Sequence, residues 1–196
     1  MKATLDSQHI IACMQVVSKD KMKVALTGVL VEVKKDCIIY TGCDGHALYS
    51  VTVKNEVELE NEFTFIFPPT KKAELKTKEL YFPVELNDKH LTYSVNGKKS
   101  IVEVIDERYP DYDSVSVKPE FENIAISTIG LCPENYSKFA KVSKAYGLDP
   151  SHWVLVFKTA HKNMQGNCQP IKLNNDNIEH TQDCKINALV MPVRIL

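Results

Sequence analysis

The order strand, helix, further strands recurs three times along the chain, and that repeat constrains the fold more than any single motif. The first round opens with Ala3-Thr-Leu5 and a helix capped by Asp6 or Ser7, in which Ile10, Met14 and Val17 recur at helical spacing. Val24–Val33, Asp36–Tyr40 and Ala47–Val53 follow as β-branched runs. Asp44-Gly45 marks a hairpin, because glycine accepts positive φ without penalty. The second round begins at Phe63–Phe67 and continues through Pro68-Pro69 into a short helix over Lys71–Lys76. Leu80–Leu86, His90–Val95 and Ser100–Ile105 then read as strands, the last two joined by Asn96-Gly97. In the third round Asn123–Ile129 reads as a strand, Pro133–Tyr146 as a helix and Gly147 as its C-cap. Trp153–Thr159, Pro170–Leu173 and Ala188–Ile195 read as strands, and the stretches 160–169 and 174–183 as long polar loops.

Between the second and third rounds lies Ile105-Asp-Glu-Arg-Tyr-Pro-Asp-Tyr-Asp-Ser-Val115. Pro110 lacks a backbone donor and biases Tyr109 toward extended geometry, while Asp111 and Asp113 suit a turn. The segment is an extended connector.

Charge is distributed by element. The net charge is −1, yet the segments read as helices are basic: Asp6–Lys23 carries +1, Pro68–Lys78 carries +3 and Pro133–Tyr146 carries +2, leaving −7 for the rest. On a wheel of the third helix, Tyr136, Phe139, Ala140, Val142 and Tyr146 cluster on one side. Lys138, Lys141 and Lys144 form a stripe on the other. One such stripe is the ordinary solvated face of an amphipathic helix; three lysine-bearing helices in three repeats point to an assembled basic surface.

The six cysteines include no C-x-x-C pair and read as reduced, mostly buried thiols. Cys43-Asp-Gly-His46, Cys168 and Cys184 lack zinc-ligand spacing, and no metal or cofactor is expected. No apolar run has transmembrane length and Met1-Lys2-Ala3-Thr4 starts no signal peptide, so a cytoplasmic setting is expected. Neither a glycine-rich phosphate loop nor paired acids nor a Cys–His arrangement has supporting spacing, and an enzyme is not expected.

Cys43-Asp-Gly-His-Ala-Leu48, Phe65-Ile-Phe-Pro68, Tyr109-Pro-Asp-Tyr112 with Val115, and Val190-Met-Pro-Val-Arg-Ile-Leu196, in this order, resemble the bacterial DNA polymerase III beta subunit, the sliding clamp. The resemblance implies an α+β fold of DNA-clamp-like βαβββ repeats, with helices on one face of antiparallel sheets. It implies a complete clamp-like domain of two halves at 1–117, a linker at 118–123 and a half domain at 124–196. The family's first domain and half of its third have no counterpart in the sequence.

Two surfaces follow from the resemblance. Basic helices would contact phosphates of double-stranded DNA without reading sequence, through Lys19, Lys21, Lys71, Lys72, Lys76, Lys78, Lys138, Lys141 and Lys144. A pocket for short peptide motifs of DNA polymerases and clamp loaders maps to Lys23, Leu26, Cys43, Gly45, His46, Leu48, Pro110, Val115, Val190, Met191, Pro192, Val193 and Arg194. Lys23 and Cys43 stand where the family commonly has Arg and Thr. Read without the resemblance, His46 is a turn residue, Val190–Leu196 a closing strand with Arg194 solvated, and Tyr109 and Tyr112 packing residues. The implied protein is a processivity factor and homo-oligomer; four copies would complete twelve βαβββ halves. The rival is a peptide-binding protein that holds no DNA and competes for clamp partners.

Overall fold

The computed structural model describes residues 1–55, 61–75, 80–112, 131–156 and 171–191. The expected strand at Asn123–Ile129 and the end of the strand at Trp153–Thr159 fall outside them.

Two antiparallel sheets organise these residues. The first round forms β1 (Lys2–Asp6), α1 (Ser7–Cys13), β2 (Val29–Val33), β3 (Cys37–Cys43) and β4 (Ala47–Lys54). The second forms β5 (Phe63–Phe67), α2 (Lys72–Leu75), β6 (Tyr81–Asn87), β7 (His90–Val95) and β8 (Lys98–Glu103). Each round lends its opening strand to the other's sheet: β1 pairs with β6 in the order β1-β6-β7-β8, and β5 pairs with β2. Neither round could close its core alone, so the two fold as one unit.

The third round joins the larger sheet. Its elements are α3 (Pro133–Ala145), β9 (Val154–Val156), β10 (Ile171–Asn174), α4 (Asp176–Gln182) and β11 (Cys184–Val190). β11 pairs with β4 over seven positions, from Cys184↔Val53 to Val190↔Ala47, giving a sheet β5-β2-β3-β4-β11-β10-β9.

Alternation along the paired strands fixes the two faces. Gly42, Tyr49 and Ala188 share one face across β3, β4 and β11, and α1 packs against it at Gly42. A Cβ at Gly42 would meet the Cys13 carbonyl oxygen at 2.2 Å, so only glycine lets the end of α1 lie this close. Tyr49 is fully buried there: its hydroxyl meets that of Tyr146 at 3.1 Å and its ring stands edge-on to Trp153. Trp153 in turn packs on Phe139 and donates to Ser143 Oγ at 2.8 Å. The third round therefore shares one hydrophobic core with the first.

Turn chemistry is where sequence and structure agree best. Asp6 caps α1 by accepting from Gln8 N, Pro133 stands at the first position of α3, and Gly147 takes φ +74° after it. Asn96 and Gly97 take φ +53° and +72°, as a tight hairpin with two left-handed residues requires.

Three helix expectations need correction. The first helix ends at Cys13 rather than Lys23, because the chain turns where α1 abuts β3 and Ser18 Oγ then accepts from Asp20 N. Met14 and Val17 continue the helical spacing but sit half-buried in turns. The second helix is confined, among described residues, to Lys72–Leu75. The stretch 174–183, expected as loop, contains α4, capped by Asn175, whose side chain accepts from Ile178 N. Val24–Thr27, expected as strand, is a single 3-10 turn.

These boundaries change the charge picture. As folded, α1 carries no charged residue and α2 balances Lys72 against Glu74. α4 is acidic, so among described helices only α3 is basic.

Candidate functional site

The β3–β4 turn and the end of β11 converge on one place. The Asp44 carboxylate builds the turn: Oδ1 accepts from His46 N and from Ala47 N, each at 2.9 Å. Gly45 takes φ +92°, and the turn closes with Asp44 N donating to Ala47 O at 3.2 Å. Met191 N donates to His46 O at 2.8 Å, which extends the β4–β11 ladder one step past β11 and fixes Met191 beside the turn.

Face parity assigns the neighbours. Cys43, Leu48 and Leu189 lie across from one another, one residue out of step with Tyr49 and Ala188, and so occupy the face opposite α1. Leu48 and Leu189 are buried on that face, Cys43 and Met191 half-buried, and Gly45 and His46 exposed at its rim. Burial pushes the Cys43 thiol above its usual range, outweighing the Gly45 amide that donates to its sulfur. It is a packing group with little thiolate.

Two further segments reach this corner. Lys23 Nζ lies 3.4 Å from the Asp44 carbonyl oxygen, at the end of a turn organised by Asp20, and Leu26 is buried beyond it. The connector crosses β2 and β3: Ile105 N donates to Ile66 O at 3.2 Å, Tyr109 Oη reaches Thr41 O at 3.4 Å, and Tyr112 bonds to the Glu32 carboxylate. Burial raises the Tyr109 hydroxyl far above its usual pKa, so it donates and does not ionise. Pro110 is exposed on this connector.

Of the expected peptide-binding residues, then, Lys23, Cys43, Gly45, His46, Leu48 and Met191 meet at one corner. Val190 points the other way: it pairs with Ala47, is fully buried and belongs to the helix-side core. Val115, Pro192, Val193 and Arg194 lie outside the described residues. Sequence reasoning passed over Met22 and Val24, which flank Lys23 at 89% and 46% exposure. Apolar residues alternating with lysine in a turn were the available signal.

The basic residues divide. Lys141 and Lys144 stand exposed on α3, on the side away from Phe139 and Val142. Lys138 departs from that stripe: its ammonium is ion-paired with the Asp44 carboxylate and bonded to Asn135 Oδ1 at 3.0 Å, with its side chain 15% exposed. It lies one turn nearer the start of α3, where a half-buried carboxylate is within reach of its stem. Lys19 and Lys21 are exposed in the turn after α1 rather than on a helix, Lys71 is exposed just before α2, and Lys72 opens α2. Lys76 and Lys78 lie outside the described residues.

The described cysteines are all free. Cys13 and Cys184 are buried, the latter's thiol pushed up to about 12 by burial, then by Glu179 and Asp183. Cys37, Cys43 and Cys132 are only half-buried, which revises the expectation of mostly buried thiols; Cys168 lies outside the described residues. No described helix is long and apolar enough to cross a membrane.

Comparison with known proteins agrees with this architecture. The structure is similar to the DNA polymerase III beta subunit of Thermotoga maritima, with 15% identity and TM-score 0.60, covering 100% of this chain and 66% of that one. It is also similar to the sliding clamp of Pseudomonas aeruginosa, at 12% identity and TM-score 0.64, covering 100% and 67%. The DnaN clamp of Bartonella birtlesii, solved bound to griselimycin, matches at 14% identity and TM-score 0.69, covering 99% and 66%. The chain thus spans about two thirds of the length of these clamps. No curated protein matches the sequence. Residues 5–111 match the central domain of the DNA polymerase III beta subunit, more than half of the chain. The chain is a member of the DNA polymerase III beta subunit family.

Proposed function

We propose that the chain is a sliding-clamp-like processivity factor, a platform rather than a catalyst, working in the cytoplasm. It would hold double-stranded DNA through cations on its helix side and replication partners through a peptide pocket on the opposite side. In this reading residues 1–117 are a complete clamp-like domain and 124–196 a half domain, and four chains supply the twelve halves of a closed ring. β5 and β9, each paired on one side among described residues, are edges where further strand pairing can occur.

The observation that carries the pocket is the bond from Met191 N to His46 O, which draws together two segments 145 residues apart in sequence. Leu48 and Leu189 supply an apolar floor beside it, and Met191 can repack around different anchors. Pro192, Val193 and Arg194 would continue the wall. Phosphate contact is assigned to Lys141 and Lys144, with Lys19, Lys21, Lys71 and the lysines of 72–78 as further candidates. Flexible cations suit sequence-independent binding.

One observation favours the rival, a peptide-binding protein without DNA. The described helices α1 and α2 carry no net charge and α4 is acidic. That leaves α3 as the basic helix.

The pocket is tested with a fluorescein-labelled peptide carrying the clamp-binding motif of a bacterial polymerase. Met191→Ala should weaken binding by roughly 1–2 kcal/mol, as expected for removal of an anchor contact. Equal affinity for wild type and Met191→Ala would overturn this placement of the pocket.

A further inference from the structure

A carboxylate withdrawn from water needs more than one compensating partner. Asp44 is 13% exposed at its side chain, and its two oxygens divide their work. Oδ1 holds the turn through the His46 and Ala47 amides; Oδ2 takes the Lys138 ammonium. The same turn is tied onward to β11, since His46 O accepts from Met191 N. A continuous set of charge-assisted and backbone bonds thus runs from α3, on one side of the sheet, through Asp44 to the end of β11.

We propose that Lys138 is a positioning residue of the peptide pocket: its ion pair with Asp44 fastens the Asp44–Ala47 turn to α3 and so sets where His46 meets Met191. The inference rests on the pocket reading above. It assigns Lys138 to the partner side of the protein's work rather than to the lysine stripe on α3.

Two features separate this role from surface pairing. Exposed ion pairs contribute little, but here both side chains are largely buried, at 15% and 13% exposure. In addition, Lys138 has a second fixed acceptor, Asn135 Oδ1 at 3.0 Å, one turn earlier on α3, which orients the ammonium before it meets Asp44. Lys141 and Lys144, exposed on the same helix, have no comparable anchoring among the described contacts.

The pair also fixes the charge state of the turn. Burial pushes the Asp44 carboxyl up, but the Lys138 ammonium and the His46 and Ala47 amides outweigh it and hold the group below the usual carboxylate range. The titratable groups set against Asp44 are Lys138 from α3, Lys23 from the segment before β2, and the Cys43 thiol on the turn itself. Lys138 is the foremost of the groups that hold the carboxyl down, so without it the carboxyl protonates more readily as pH falls and its hold on both amides weakens.

Peptide affinity is therefore measured by fluorescence anisotropy, with the labelled polymerase-motif peptide, for wild type, Lys138→Met, Lys138→Arg and Asp44→Asn at about pH 7.5 and pH 5.5. Lys138→Met keeps the packing of the stem and should bind about two- to thirtyfold more weakly at the higher pH, the usual span for a coupling residue. Its loss should grow on acidification relative to wild type, while Lys138→Arg restores near-wild-type affinity. Asp44→Asn retains an acceptor for the turn amides and should match Lys138→Met at the higher pH, without the added acid loss. Wild-type affinity of Lys138→Met at both pH values would overturn the inference, as would failure of Lys138→Arg to rescue it. Should wild type itself not bind the peptide, the pocket reading falls and takes this inference with it.

Discussion

At the scale of single residues, the junction between the first and third rounds is polar at its centre. His9 is 3% exposed, its Nδ1 2.9 Å from Tyr146 Oη, with Asp6 Oδ2 3.7 Å from its other ring nitrogen. Burial lowers its pKa, and the Asp6 charge only partly opposes this. The unfolded chain therefore takes up a proton below about pH 6.5 that the folded chain refuses, and stability falls as pH drops through that range. The Asp44 carboxyl, held low, works in a different window: its contribution persists until pH falls below the usual carboxylate range. The thermal midpoint should thus decline between about pH 7 and pH 5, and His9→Gln, though less stable at neutral pH, should show a shallower decline. Equal slopes for the two proteins would mean that His9 does not govern this acid sensitivity.

At the scale of elements, α3 joins both sides of the molecule. Phe139 and Val142 are fully buried, each worth about 1.5–3 kcal/mol relative to exposure, while Lys141 and Lys144 face solvent. Lys141→Glu with Lys144→Glu should leave the thermal transition nearly unchanged, weaken DNA binding and make it less salt-sensitive, as fewer phosphate contacts release fewer counterions. Unaltered DNA retention by this double variant would remove α3 from the DNA surface. This helix was also the most legible in sequence, because a proline start, a 3.6-residue apolar stripe and a glycine stop all agree. The first helix was overrun because Met14 and Val17 keep its period while the approach of Gly42 to Cys13, a tertiary contact, ends it. α4 was missed because a seven-residue helix with one fully buried apolar residue, Ile178, has hardly any period to detect; its Asn175 cap was the only local sign. The Asp44–Ala47 turn was legible through Asp44-Gly45. The pairing of Lys138 with Asp44, 94 residues apart, was not, since nothing local distinguishes Lys138 from Lys141 and Lys144.

At the scale of the whole molecule, the larger sheet would separate the two kinds of work in the proposed function. α1 lies on one face, while Cys43, Leu48 and Leu189 lie on the other, so DNA and a partner peptide could be held at once without competing for surface. In the proposed ring, a chain of this family that spans about two thirds of a clamp would need more copies than a full-length subunit to close it. Closure, not affinity, is the property on which the proposed function depends, and it can be measured without a loader. The protein is mixed with linear duplex DNA, the ends are ligated into a circle, and the sample is washed in about 1 M salt, where exposed charge contacts are screened within about 3 Å. A closed clamp should remain on the circle through the wash and be released when the circle is cut once. Loss of the protein from the intact circle at high salt, or equal retention before and after the cut, would contradict the account.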